Sequence, residues 1–258
     1  MSNNAYRTIW LSDLHLGSTQ CQADVLLDFL RHNDSEKLYL VGDIIDFWAL
    51  SKKVYWPRDH NTVIQKVLRK ARHGTQVIYI PGNHDENIRD YDSYVFGDIT
   101  VKTSDVHTTA AGKRLLVVHG DEYDTIAKYH QWIAKLGSKG YDLLLDINRI
   151  LRALRRFFGI RSHFSLAAFV KFKVKNAVQF ISDYEESIVS TLRDENLDGV
   201  VCGHIHHAEM KEMGGFLYVN TGDFVESCTA IVEEHDGTLR LVNWHKTEYE
   251  LVLAHEQA

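Results

Sequence analysis

Five short apolar runs, each ending in a cluster of Asp, His and Asn, constrain this chain more than any other feature. Arg7–Ser12 (RTIWLS) leads into Asp13-Leu14-His15. Lys37–Val41 (KLYLV) leads into Gly42-Asp43-Ile44-Ile45-Asp46, and Gln76–Ile80 (QVIYI) into Gly82-Asn83-His84-Asp85. Arg114–Val118 (RLLVV) precedes His119-Gly120-Asp121, and Val200–Cys202 precedes Gly203-His204-Ile205-His206. Apolar runs this short, bounded by turn formers, read as buried strands. Ala23–Arg31 and Asn61–Arg72 carry helical periodicity between them, and strand–helix alternation predicts an α/β layer architecture. Phe216–Asn220, Cys228–Glu233 and Thr238–His245 extend it with a β-rich C-terminal part. Strand C-terminal ends form one edge of a sheet, so the five loops can converge on one crevice.

The residue types in those loops suit two divalent cations. Carboxylate oxygen and neutral imidazole fit Mn, Fe, Zn or Co, and thiolate is missing from the set. D-x-H and H-x-H each place two donors on one extended loop. Two cations about 3.5–4 Å apart can hold a bridging water and lower its pKa towards neutrality. Each piece alone has an ordinary structural explanation. G-N-H-D can be a turn with a left-handed Asn, and the second Asp of G-D-x-x-D can be a helix N-cap. Five pieces in order, each after an expected strand, are not accounted for by packing.

The chain has 258 residues and a formal net charge of −6, which argues against a uniformly basic nucleic-acid binder. The charges are segregated. Ten Lys/Arg stand against two Asp/Glu between Gln131 and Phe180, leaving −14 to the remainder. Two prolines and no Pro/Ser/Gly-rich linker argue for one domain over 1–258. A helical insertion over about 126–196 is expected to interrupt its strands. Three widely spaced cysteines fit reduced thiols in a cytosolic protein. The N-terminus lacks the pattern of a signal peptide, and no stretch approaches the roughly 18 apolar residues of a membrane span.

D-x-H, G-D-x-x-D, G-N-H-D, an isolated H-G and G-H-x-H together resemble the signature blocks of calcineurin-like metallophosphoesterases, from Asp13 to His206. The resemblance implies a four-layer α/β/β/α sandwich of two mixed sheets, with a dimetal site between loops at the sheet edges. It implies that Asp13, His15, Asp43 and His206 hold one metal. Asp43, Asn83, His119 and His204 would hold the other, with Asp43 bridging and manganese the expected ion. His84 would face the substrate, stabilise phosphoryl oxygens and protonate the leaving group, with Asp46 orienting it. Asp85 would stabilise its loop.

Within that superfamily the length and helical insertion resemble the UDP-2,3-diacylglucosamine hydrolases of lipid A biosynthesis. These split a pyrophosphate to UMP and a lipid phosphate beneath a helical lid. His84 and Asp46 are the general superfamily pair, where typical members of that branch carry Arg and Glu, so the chain resembles a divergent branch. On a helical wheel Leu166, Phe169, Val170, Val174, Ala177, Phe180 and Ile181 share one face, Lys171 and Lys175 the other, and Lys173 falls within the apolar face. An apolar face bordered by cations suits a lipid phosphate or an anionic membrane surface. Lys171, Lys173, Lys175 and Asn176 are therefore the expected substrate contacts. The expected location is cytoplasmic, peripheral at the inner membrane face. The alternatives are a phosphodiesterase of soluble nucleotides or nucleic acid, and a non-catalytic scaffold.

Overall fold

The computed structural model describes residues 4–123, 184 and 187–244. The chain divides into two compact units, Met1–Asp121 with Val189–Ala258, and Glu122–Ile188. Of the second unit Glu122, Tyr123, Tyr184, Ser187 and Ile188 are described, with the Tyr123 and Tyr184 rings edge-to-face at 6.4 Å. Most of the expected insertion lies outside the described residues, as do Lys171, Lys173, Lys175 and Asn176.

The first unit is built on two mixed sheets. In chain order its elements are β1 (Asn4–Leu11), α1 (Ala23–His32), β2 (Asn33–Val41), α2 (Phe47–Lys52), α3 (Arg58–Arg72) and β3 (Gln76–Ile80). Then come β4 (Val95–Phe96), β5 (Ile99–Val101), β6 (Asp105–Thr108), β7 (Arg114–Val117) and β8 (Gly199–Cys202). β9 (Glu209–Met213), β10 (Phe216–Asn220), β11 (Thr229–Glu233) and β12 (Leu239–Asn243) complete the series. The larger sheet has the order β12-β11-β1-β2-β3-β5-β4, and the smaller β6-β7-β8-β10-β9. β1, β2, β3 and β5 run parallel, as do β7, β8 and β10, while the flanking strands are antiparallel.

Period-2 alternation separates two cores. Ile9, Leu11, Leu38, Leu40, Val77 and Tyr79 point to one face of the larger sheet, where Leu26, Phe29 and Leu30 of α1 and Val63, Val67 and Ala71 of α3 cover them. These helix positions recur at three- and four-residue spacing, one apolar stripe on each helix. Trp10, Tyr39, Val41, Ile78 and Ile80 point to the other face and meet Leu115, Val117, Val201 and Val219 of the smaller sheet. Trp10 and Tyr39 stack there, 5.7 Å between centroids. Residues 189–194 are helical, and a Cβ on Gly214, in the β9–β10 turn, would meet Val189 at 3.2 Å. That helical segment thus stands beside the β9–β10 turn of the smaller sheet.

The strands differ from expectation at their polar ends. β1 and β2 begin three and four residues earlier than the apolar runs, because Asn4 and Ala5 pair with Asn33 and Asp34. Those residues carry ladder hydrogen bonds without burying apolar surface. β4, β5, β6 and β9 were not expected at all: three are sheet edges and all are short, with little apolar alternation. β11 starts at Thr229 and β12 spans Leu239–Asn243, both trimmed against the sequence reading.

Candidate metal centre

The C-terminal ends of β1, β2, β3, β7 and β8 bring all five loops together. Parallel backbone contacts hold the first two loops side by side: Asp13 N donates to Gly42 O at 3.0 Å and His15 N to Asp43 O at 2.9 Å. Asp85 fixes the third. Its fully buried carboxylate accepts from the amides of Asp43 (3.3 Å), Ile44 (2.8 Å) and Gly82 (2.5 Å), and from the Tyr79 hydroxyl. One side chain thereby ties the loop after β2 to the loop after β3, the stabilising role expected of it. Arg89 reaches across to Asp121 of the fourth loop at 2.6 Å.

Five of the seven expected ligands sit in left-handed backbone: Asp13 (φ 51°), His15 (50°), Asp43 (52°), His204 (71°) and His206 (54°). Non-glycine residues there cost about 1 kcal/mol or more each and gather at functional sites. The loops invert at those positions and aim the side chains inward.

Donor atoms cluster accordingly. Asp13, His15 and His206 each offer an atom within 4.8 Å of the others, and so do Asp13, Asp43 and His119. Asp43 lies between: its Oδ2 is 3.8 Å from His15 Nε2 and its Oδ1 3.5 Å from His119 Nε2. Asn83 Oδ1 is 3.3 Å from His119 Nε2, and the His204 ring centroid is 5.1 Å from that of His119. His204 also donates its amide to Asp13 Oδ2 at 3.1 Å. All seven expected ligands therefore meet in one place. Asp13 Oδ1 is buried and accepts no hydrogen bond, although His206 Nε2 stands 3.3 Å away. A buried carboxylate oxygen that accepts no well-aligned hydrogen bond, with the His206 imidazole beside it, fits a cation.

Burial works against charge throughout, yet Asp43 is held below the usual carboxylate range, chiefly by the His119 imidazole. Asp46 is lowered likewise, by hydrogen bonds from His15 and His84 against its own burial. For His119 burial pushes the pKa down, but Asp43 and Asp13 raise it to about 10. The carboxylates make a field that demands positive charge in the cleft.

His84 and Asp46 form the expected pair. His84 Nδ1 is 2.9 Å from Asp46 Oδ1, and burial of the ring is outweighed by Asp46 and Asp43, which raise its pKa. Asp46 is also the N-cap of α2, accepting from Ala49 N at 2.7 Å, and its Oδ2 lies 3.2 Å from His15 Nδ1. The cap and pairing explanations of this residue hold together. His84 remains half-buried, with Nε2 3.9 Å from Asp43 Oδ2.

Two residues escaped the sequence reading. Trp48 packs on His84, ring centroids 4.2 Å apart, and its place two residues beyond the N-cap Asp46 was the available signal. Asp223 lies 4.0 Å from His206 Nδ1 and accepts from the amides of Val225, Glu226 and Ser227. Asp223 follows Gly222 (φ 79°) in the connection between β10 and β11, and nothing in the residue pattern there singles out its carboxylate.

An α/β double sheet with a histidine–carboxylate cluster at its strand ends has the donor set of a divalent-metal centre. The family model described as calcineurin-like phosphoesterase matches residues 6–208, and the chain belongs to that family. It is a metal-dependent phosphoesterase of a family that works with divalent cations. It is similar to a UDP-2,3-diacylglucosamine hydrolase of Haemophilus influenzae, 25% identical over 87% of this chain and 93% of the relative. The protein of the same description from Aliivibrio fischeri is 25% identical over 93% and 98%, and that from Neisseria gonorrhoeae 26% over 89% and 95%. Among solved structures, the phosphoesterase Yfce of E. coli aligns over 92% of this chain and 98% of its own, with 11% identity and a TM-score of 0.42. Vacuolar protein sorting 29 of Cryptosporidium parvum aligns over 91% and 94%, with 11% identity and a TM-score of 0.43.

Proposed function

We propose that this chain hydrolyses the pyrophosphate of a nucleotide-linked lipid, UDP-2,3-diacylglucosamine or a close analogue, to UMP and a lipid phosphate. One observation carries the hydrolysis: seven ligand-type side chains and a His84–Asp46 pair meet at the ends of five strands. Similarity to the UDP-2,3-diacylglucosamine hydrolases over most of both chains supports the substrate. In this proposal Asp13, His15, Asp43 and His206 hold one divalent cation, and Asp43, Asn83, His119 and His204 a second, with manganese the expected ion. Bound there, the two cations would supply Lewis acidity and lower the pKa of water.

The protein's own groups do the rest. Asp46 holds His84 Nδ1, so the proton available to substrate is on Nε2. The half-buried ring donates to a phosphoryl oxygen, then protonates the departing phosphate oxygen. Trp48 covers one face of the imidazole and limits its tilt. The basic insertion with Lys171, Lys173, Lys175 and Asn176 contacts the lipid, and the chain works in the cytoplasm at the inner membrane face. The test is incubation of the manganese-loaded chain with UDP-2,3-diacylglucosamine, followed by phosphorus NMR. Appearance of UMP and a lipid phosphate is expected. Turnover of aryl phosphodiesters with an intact lipid substrate would remove the substrate and leave the hydrolase.

A further inference from the structure

The metal centre occupies the C-terminal edge of β1, β2 and β3. At the opposite edge a cavity of about 660 Å³ opens among the starts of β1 and β2, the last turns of α1 and α3, and the turn into β3. With about 3.3 Å of rise per residue along β2, the two places lie more than about 20 Å apart. Arg31, Lys66, Arg69 and Lys70 line it, with Asp34 and Glu36 the carboxylates among its walls.

Those carboxylates are committed. Asp34 pairs with Lys70 at 2.5 Å, and Glu36 faces His235 at 3.5 Å. Arg31 has Asp28 at 3.6 Å, outside the cavity and largely in solvent. Lys66 and Arg69 have no carboxylate at ion-pair distance among the described residues. Cations in a last helical turn complement the helix dipole, and α1 and α3 both end here. Each end carries about half a negative charge. With Arg31 matched by Asp28 and Lys70 by Asp34, Lys66 and Arg69 are the cations of the cavity left without a carboxylate partner among the described residues. Burial lowers the Lys66 pKa, and Lys70, Arg69 and Arg31 lower it further against the opposing pull of Asp34, so repulsion among the cations prevails in a shared space. The rim is open at Gly74, where a Cβ would meet nothing within 4 Å.

We propose that this cavity binds a small phosphate-bearing molecule with at least two negative charges, at a site separate from the metal centre. Guanidinium forks and ammonium point charges together match phosphate oxygens. The volume falls within the range of small-molecule pockets, about 300–1,000 Å³. A monoanion would relieve one unpaired cation and leave the other, whereas a dianion spans Lys66 and Arg69 together. The phosphate belongs either to a soluble metabolite or to a lipid headgroup.

The full-length, metal-loaded chain is titrated with methylenediphosphonate, which resists hydrolysis, and separately with dihexanoyl phosphatidate. Amide resonances of Ser35, Gly74 and Thr75 report on the cavity independently of the metal centre. Saturable shifts at submillimolar ligand are expected, with a midpoint weakened about tenfold or more in Lys66→Glu/Arg69→Glu. Lys66→Gln/Arg69→Gln serves the same comparison with less strain on folding. Tighter binding of the diphosphonate assigns a soluble ligand, and tighter binding of phosphatidate a headgroup. Either result supports the site. Unmoved amides at millimolar ligand, or equal midpoints in wild type and both variants, overturn it.

Discussion

At the scale of single residues, the site is a set of strained positions held by neighbours. Asp13, His15, Asp43, His204 and His206 occupy left-handed backbone, and nothing in D-x-H or H-x-H announces that. Motif spacing shows which side chains are near one another, while backbone inversion decides where they point. His84 is different, since its ring is set by Asp46 and Trp48. His84→Ala is therefore expected to cut turnover about 10²- to 10⁴-fold, the usual worth of an acid–base group, while elemental analysis finds the metal content unchanged. Loss of metal alongside turnover would make His84 a ligand. The thiols mark the opposite extreme of reactivity. Burial pushes both Cys21 and Cys228 up to about 12. At pH 8 only about one thiol in ten thousand is then a thiolate, so iodoacetamide should label neither until the chain is unfolded. Mass spectrometry of native protein with rapid labelling at Cys21 would contradict this.

At the scale of elements, close approach dictates the loops. Gly42 has φ 72°, and a Cβ there would run into the His119 ring. Gly42→Ala should lower the thermal midpoint and displace His119, through a destabilisation of roughly 2–3 kcal/mol from backbone strain and overpacking. A melt with bound metal equal to wild type would refute it. A second tie joins the sheets. Glu233 of β11 is fully buried, takes Arg7 of β1 at 2.6 Å and His107 of β6 at 2.8 Å, and accepts from Ala110 N at 2.7 Å. Burial alone would raise its carboxyl, but the hydrogen bonds from His107 and Ala110 outweigh it and bring it down to about 2. A depressed carboxyl contributes stability above its unfolded pKa of about 4.5 and loses it as pH falls towards 2. Glu233→Gln should cost about 3 kcal/mol at neutral pH and flatten that acid limb in denaturant titrations. The apolar centres of β1, β2, β3, β7 and β8 and the ligand loops were legible because burial and ligation leave residue-type signals. Asn4 and Ala5 in β1, and the whole of β6 and β9, were not. Backbone pairing of polar or exposed residues leaves no such pattern.

At the scale of the molecule, charge is distributed by task. The metal centre gathers Asp13, Asp43 and Asp46 at one sheet edge, and the Lys66–Arg69 cavity gathers cations at the other. The +8 segment between Gln131 and Phe180 is separate in sequence from both. In the proposed reaction two cations held by the seven ligands would, with His84, serve a small phosphodiester without help from the basic segment. An amphiphilic substrate needs more, namely apolar cover for acyl chains and countercharge for phosphate. The substitution Lys171→Gln/Lys173→Gln/Lys175→Gln separates these demands. It should leave hydrolysis of a soluble aryl phosphodiester within about twofold of wild type. It should lower kcat/KM on UDP-2,3-diacylglucosamine by about tenfold or more, mostly through KM, because charge contacts to substrate act on binding. Parallel assays on both substrates decide between the two roles of the segment. Equal losses on both would point to a fold defect, and no loss on the lipid would confine the lysines to solvent.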